Sequence, residues 1–272
     1  MPLFEKLKSA KPFFLIAGPC VIEDEHTMLA SAEYLKRLSE KLKLPLVFKS
    51  SYTKANRSSK DSYSGPGLEE GLKLLARIRQ DYDLPILSDI HESCEVAAAA
   101  EVCEILQIPA FLCRQTALIQ AAALSGKIVN IKKGQFMAPE DMASAAAKAA
   151  AMGNHKILLT ERGSSFGYHN LVVDFRSFSI MKQAGYPVVY DLTHSLQLPS
   201  SGKNTGGNPE FAPMLAYAAM ATGEVDGLFI ECHPEPMRAK SDAATMLPLS
   251  ALDSLLAKCI EIKNIRDKPC II

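Results

Sequence analysis

The chain has 272 residues, 48% hydrophobic and 22% charged, with 30 Lys and Arg against 30 Asp and Glu. This even balance gives no reason to invoke nucleic acid or an anionic membrane surface, and no apolar stretch reaches the ~20 residues that a bilayer span needs. The N-terminus MPLFEKLKSAKP lacks the apolar stretch of a signal peptide, and the seven irregularly spaced cysteines fit reduced thiols in a cytoplasm better than a disulfide framework.

Along the chain, eight short apolar runs alternate with helix-like stretches. The runs are FFLIAG from Phe13, LVFKS from Leu46, ILSDI from Ile86, AFLCR from Ala110, IVNIKK from Ile128, KILLTER from Lys156, VVYDLTH from Val188 and GLFIEC from Gly227. Strand–helix alternation implies a parallel sheet covered by helices. Eight repeats imply an α/β fold closed as a (β/α)8 TIM barrel, and the length is near the ~250 residues of one such barrel, so residues 1–272 are expected to form a single domain. The C-terminal strand ends then form the active face. At or just past those ends stand Cys20, Lys49, Asp89, Arg114, Lys132, Arg162, His194 and Glu231.

The intervening segments carry helical spacing, as in Leu29, Ala32, Leu35, Leu38 and Leu42. The alanine-rich stretch from Asp141 to Met152 predicts a thin, tightly packed helix. Cys94, Cys103 and Cys259 fall on predicted helices as small buried apolar groups, which leaves Cys20 as the cysteine at a strand end. Three long loops, Ser50–Gly67, Pro199–Pro209 and Cys232–Pro248, follow strands and belong on the active face. The glycine-rich PSSGKNTGGNP is either a mobile lid or a loose connection.

Two constellations carry chemistry. Lys49, Lys54, Arg57, Arg114, Lys132, Lys133 and Arg162 would make one positive basin, suited to phosphate and carboxylate. The stretch KANRSS adds an amide and hydroxyls of the kind that hold a phosphorylated sugar. The alternative is a solvated rim, or cations paired with acids such as Glu161. Cys20, His194, Glu231 and Asp242 form the second group, which barrel closure between the last and first strands brings together. This is a donor set for a divalent metal, with thiolate and imidazole suiting zinc or iron and carboxylates also accepting manganese. Taken singly, each has a structural explanation as a buried filler, a hydrogen-bonded histidine or an ion-pair partner. His91 and Asp89 in SDIHE could move protons or serve structurally.

The stretches AGPCVIE, FKSSYTKANRSS, GPGLEEGL, SDIHE, CRQT, NIKKGQF, ERGSSFGYHNLVVDFRS, DLTHSLQLP and ECHPEPMRAKSDAATMLPL cover nearly the whole chain. Through them the sequence resembles the 3-deoxy-D-manno-octulosonate 8-phosphate synthase family of lipopolysaccharide (Kdo) biosynthesis. The resemblance implies a cytoplasmic transferase that condenses phosphoenolpyruvate with D-arabinose 5-phosphate and releases phosphate. It implies that Lys132 and Arg162 grip the phosphoenolpyruvate phosphate. Lys49 and Ser51 would seat the carboxylate end, with Gln115 nearby. Lys54 would stand between the substrates, and Asn56, Arg57 and Ser58 would hold the pentose phosphate. Arg114 would reach a pentose phosphate in a neighbouring subunit of a homotetramer. Cys20 in AGPC, with His194, Glu231, Asp242 and Gly134, implies the metal-dependent class, in which Lys54, Cys20, His194 and Asp242 are the catalytic set. The competing readings are a heptulosonate 7-phosphate synthase using erythrose 4-phosphate, and a non-catalytic phosphosugar-binding barrel.

Overall fold

A β-strand sends successive side chains to opposite faces, and in the computed structural model this alternation sorts the apolar residues into two cores. The structure describes residues 1–55, 62–166, 170–199 and 206–266. Strands β1 (Phe14–Gly18), β2 (Leu46–Lys49), β3 (Ile86–Asp89), β4 (Ile105–Ile108), β5 (Ile128–Lys132), β6 (Ile157–Glu161), β7 (Val188–Asp191) and β8 (Gly227–His233) pair in chain order, all parallel. β8 returns to β1, with Phe14 opposite Gly227 and Gly18 opposite Glu231. The sheet therefore closes, and the expected (β/α)8 barrel is what the chain forms.

Outward residues such as Leu15, Phe48, Leu106, Leu159 and Tyr190 pack under the helices. These include α2 (Glu25–Leu42), α3 (Leu68–Tyr82), α4 (Val96–Val102), α5 (Thr116–Leu124), α6 (Met142–Ala150), α7 (Arg176–Lys182), α8 (Ala212–Thr222) and α9 (Leu252–Arg266). α2 begins where the Asp24 side chain accepts the Thr27 N–H at 2.9 Å, an N-cap that satisfies an otherwise orphaned donor. Its Ala32, Leu35 and Leu38 are buried, as their spacing predicts. The Asp141–Met152 stretch forms α6 after a short 3₁₀ turn at Pro139–Asp141.

Inward residues form the second core. Phe14, Ile16, Val47, Leu87, Ile105, Ile128, Leu158, Val189 and Phe229 fill the barrel, and the short N-terminal helix α1 (Leu3–Lys8; numbered first in the chain) plugs it from below with Phe4 and Leu7. Two residues further along each strand the inward side chains turn polar. Leu87 is followed by Asp89, Ile105 by Gln107, Ile128 by Asn130 and Lys132, Leu158 by Thr160, Val189 by Asp191 and Phe229 by Glu231. All are buried. β1 contributes Gly18 to this layer, and a Cβ there would lie 2.1 Å from the Lys49 carbonyl oxygen, so only glycine lets β2 approach so closely.

Several expectations are corrected. The fourth strand is Ile105–Ile108, not the AFLCR run; Pro109 ends it and Ala110–Leu112 is a 3₁₀ turn. Arg114 therefore stands past that turn, not at a strand end. Cys94 is exposed on a 3₁₀ turn, and Cys103 follows α4 in extended backbone, although it is buried. Cys232 also lies near a strand end, but parity turns it outward into the helix layer. Residues 200–205 of the PSSGKNTGGNP loop lie outside the described residues. Among the described residues no helix is long and apolar enough to cross a membrane.

Because Leu7 is fully buried in the plug, Leu7→Ala is expected to cost about 2–5 kcal/mol of unfolding free energy. Chemical denaturation checks this. The active face lies at the opposite barrel end, so turnover at a permissive temperature should be retained.

Candidate active site

The polar inward layer opens at the C-terminal strand ends into a cavity of about 340 Å³, lined by Lys49, Lys54, Asp89, Lys132, Arg162 and Glu231 among others. Lys49, from the end of β2, is 1% exposed. Its Nζ ion-pairs with Glu231 Oε1 and donates to the Cys20 carbonyl at 2.8 Å. Lys54 Nζ lies 3.6 Å from Asp89 Oδ2 and 3.8 Å from Glu231 Oε1. Lys132, from β5, pairs with Asp191 and sits 3.8 Å above the Phe229 ring. Arg162 follows β6; its Nη2 donates to Gln197 at 2.7 Å, while Nη1 is buried with no hydrogen-bond partner among the described residues.

Burial and charge act against each other here. Burial pushes the carboxyls of Asp89, Asp191 and Glu231 up, but neighbouring cations outweigh it. Lys54 and Lys49 act on Asp89, His194 and Lys132 on Asp191, and Lys49 and His194 on Glu231, so all three are held below the usual carboxylate range. Burial disfavours the Lys54 ammonium, yet Cys20, Glu231, Asp89 and Asp242 around it prevail and raise its pKa. For Lys132 and Arg162 burial wins over their acidic neighbours and both are lowered. Lys132 keeps Asp191 as its partner, whereas Arg162 Nη1 has none among the described residues, a buried donor that an incoming anion satisfies.

The second constellation assembles beside them. Ligand atoms of Cys20, Glu231 and Asp242 all lie within 4.8 Å of one another. Cys20 Sγ is 2.9 Å from Asp242 Oδ2 and 3.0 Å from Ser241 Oγ. Burial, then Asp242 and Glu231, push the Cys20 thiol well up. His194 stands outside that trio but adjoins it, with Nε2 3.7 Å from Glu231 Oε2 and Nδ1 2.8 Å from Asp191 Oδ2. The Asp191 carboxylate thereby orients the imidazole from behind, as partners of metal-bound histidines do. Glu231 Oε2 is buried without a hydrogen-bond partner among the described residues. Thiol, imidazole and two carboxylates around an unsatisfied carboxylate oxygen fit a divalent cation.

Not every expected residue reaches the cavity. Lys133 is fully buried on the other side of the sheet, donating to Ser164 Oγ at 2.9 Å and lying 3.4 Å from Glu161. Alternation allows only one of two adjacent lysines to face inward. Arg114 and Gln115 are exposed before α5. Ser51 is buried, and its hydroxyl donates to Asp89 Oδ2 at 2.6 Å. His91 lines the cavity, and Glu95 accepts its backbone N–H at 2.7 Å. Asn56, Arg57 and Ser58 lie outside the described residues.

Residues 8–268 match the DAHP synthetase I family. The chain belongs to that family. Its curated relatives include 2-dehydro-3-deoxyphosphooctonate aldolases. The one from Syntrophotalea carbinolica is 56% identical, covering 93% of this chain and 92% of the relative. That from Trichlorobacter lovleyi is 53% identical over 93% of each, and that from Acidithiobacillus ferrooxidans 54% identical over 90% and 87%. 2-Dehydro-3-deoxyphosphooctonate aldolase is another name for 3-deoxy-D-manno-octulosonate 8-phosphate synthase, so these relatives carry the expected family name and not that of the heptulosonate rival.

Four further buried polar residues of this family member, Asp191, Gln107, Asn130 and Thr160, are absent from the expected site. Their signal was parity. Each stands at an inward position, two residues beyond an inward apolar one.

The depressed carboxylates set a direction for pH dependence. A carboxyl whose pKa is lowered on folding contributes stability that is present above its unfolded value, about 4, and is lost as pH falls toward the folded one. The thermal midpoint should hold above about pH 5 and drop below about pH 4. A midpoint that rose on acidification would contradict the charge assignment.

Proposed function

We propose that the chain condenses phosphoenolpyruvate with D-arabinose 5-phosphate and water to give 3-deoxy-D-manno-octulosonate 8-phosphate and inorganic phosphate, the reaction that supplies Kdo for lipopolysaccharide. The observation that carries this reading is the meeting of Arg162, with its buried Nη1 lacking a hydrogen-bond partner among the described residues, and Lys132 in one cavity with His194 and Glu231, the latter grouped with Cys20 and Asp242. An anion is wanted on one side and a cation on the other.

In this assignment Lys132 and Arg162 take the phosphate of phosphoenolpyruvate. Lys49 faces its carboxylate, with Ser51 acting through Asp89. Gln115 is exposed before α5, and Gln107 acts on this end through Asp89, to which its amide donates. Lys54 stands between donor and acceptor. Asn56, Arg57 and Ser58 receive the pentose phosphate, and Arg114, exposed on the rim, reaches a neighbouring subunit's site in a homotetramer. The methylene carbon of phosphoenolpyruvate attacks the aldehyde carbon, and the aldehyde oxygen becomes a hydroxyl. Water adds to the former enol carbon. Phosphate then leaves with the electron pair of its carbon–oxygen bond as the new hydroxyl loses its proton to become the ketone. Fixed cations neutralise two phosphates and a carboxylate while holding the reacting carbons together.

Cys20, His194, Glu231 and Asp242 would hold a divalent iron, zinc or manganese ion, as expected of the metal-dependent class. Such an ion supplies Lewis acidity toward the aldehyde oxygen or a water. The setting is cytoplasmic, with no nucleic-acid or membrane partner.

The test is phosphate release from phosphoenolpyruvate with arabinose 5-phosphate, before and after chelation and with metals restored. Turnover lost to chelator and recovered with a divalent metal is expected. Turnover only with erythrose 4-phosphate would refute the substrate assignment, and indifference to thorough chelation would refute the metal. Arg162→Ala should raise the KM for phosphoenolpyruvate by at least ~10-fold, the loss expected for a charged hydrogen-bonding group; an unchanged KM would remove Arg162 from the phosphate site.

A further inference from the structure

Beneath the cavity, four inward polar side chains from consecutive strands touch in series. Thr160 of β6 donates its hydroxyl to Asn130 Oδ1 of β5 at 2.7 Å. Asn130 Nδ2 donates to Gln107 Oε1 of β4 at 2.8 Å. Gln107 Nε2 donates to Asp89 Oδ1 of β3. The other carboxylate oxygen takes the Ser51 hydroxyl, and Lys54 Nζ is 3.6 Å away. All four residues are at most 6% exposed, and Asn130 and Thr160 are fully buried.

The order of donors is forced. An ionised carboxylate can only accept, so Gln107 must turn its amide nitrogen to Asp89. Its oxygen then faces Asn130, which must present nitrogen in turn and leave oxygen for the Thr160 hydroxyl. Every hydrogen bond points the same way around the barrel floor, and such aligned chains reinforce one another in a low-dielectric interior.

We infer that Thr160, Asn130 and Gln107 are positioning residues for the proposed condensation: a one-way hydrogen-bond chain that fixes the Asp89 carboxylate and, through it, Lys54 and Ser51. Thr160 and Asn130 do not line the cavity; Thr160 reaches Asp89 across two intervening side chains and Asn130 across one. This inference rests on the functional reading above, since it is the reacting centre that Lys54 faces.

The first two links of the chain give separable variants. Thr160→Val keeps the shape and removes the first donor, and should lower kcat about fivefold, the scale of one lost hydrogen bond, with the KM for phosphoenolpyruvate within twofold. Thr160→Ser restores the hydroxyl and should restore kcat. Asn130→Asp keeps the size but replaces the amide nitrogen with an acceptor. Gln107 must then reverse its amide and turn oxygen toward Asp89, so kcat should fall more than in Thr160→Val. Crystal structures of the same variants read the proposal without turnover: in Asn130→Asp the Asp89 carboxylate should swing from Gln107 and Lys54 Nζ should move with it. Wild-type kcat in Thr160→Val, failure of Thr160→Ser to rescue, or an unmoved Asp89 in Asn130→Asp would each overturn the chain. A wild-type enzyme inactive with both aldoses would instead overturn the functional reading, while the crystal structures would still decide the chain.

Discussion

The buried ion pair between Lys49 and Glu231 is the constraint on which the active face depends. Lys49 rises from β2 and Glu231 from β8, with β1 between them. They meet because β1 offers Gly18, which has no side chain, at the inward position opposite Glu231. The pair is 1% and 0% exposed. Deleting one partner of such a pair costs about 3–5 kcal/mol because the other charge is left buried alone. An exposed helix pair such as Arg37–Glu33 contributes at most ~1 kcal/mol. Barrel closure and site assembly are therefore one event: the register that brings β8 to β1 also brings Glu231 to Lys49 and to Cys20.

The same layer explains how the cavity can be so charged in a chain of zero net charge. Lys49, Lys54 and Lys132 each have a carboxylate of Glu231, Asp89 or Asp191 nearby. The resting site is a balanced lattice, not a free positive basin. Two of its charged groups keep an atom with no hydrogen-bond partner among the described residues: Arg162 Nη1 on one side and Glu231 Oε2 on the other. One belongs to a cation and the other to an anion, and they mark an anion side and a cation side of the cavity.

Much of this was legible in the residues. Seven strand positions and the chemistry at their ends follow from apolar runs ending in charge, because a barrel strand must be apolar below and functional above. The fourth strand was hidden because its inward Gln107 breaks the apolar run, while AFLC after Pro109 imitates one. Lys133 was counted into the basin because adjacent charges look alike until parity is applied from Lys132. Asn130 and Thr160 were passed over for a related reason. A polar residue inside an apolar strand reads as noise, yet counting back by two from Lys132 and Arg162 reaches both.

Cys20 shows why the two halves of the site need one another. Burial and the adjoining Asp242 and Glu231 favour the neutral thiol, which here donates to Asp242. Thiolate is the form that binds metals, and a bound cation reverses the local balance by adding positive charge where two carboxylates otherwise repel a third anion. Lys49 and Lys54 already act in that direction, but Lys49 is committed to Glu231 and the Cys20 carbonyl, not to the sulfur. The donor set is thus complementary to a cation, with Glu231 Oε2 the one of its atoms that lacks a hydrogen-bond partner among the described residues. A divalent metal held there, as proposed, would displace the Cys20 proton, and its affinity would rise with pH.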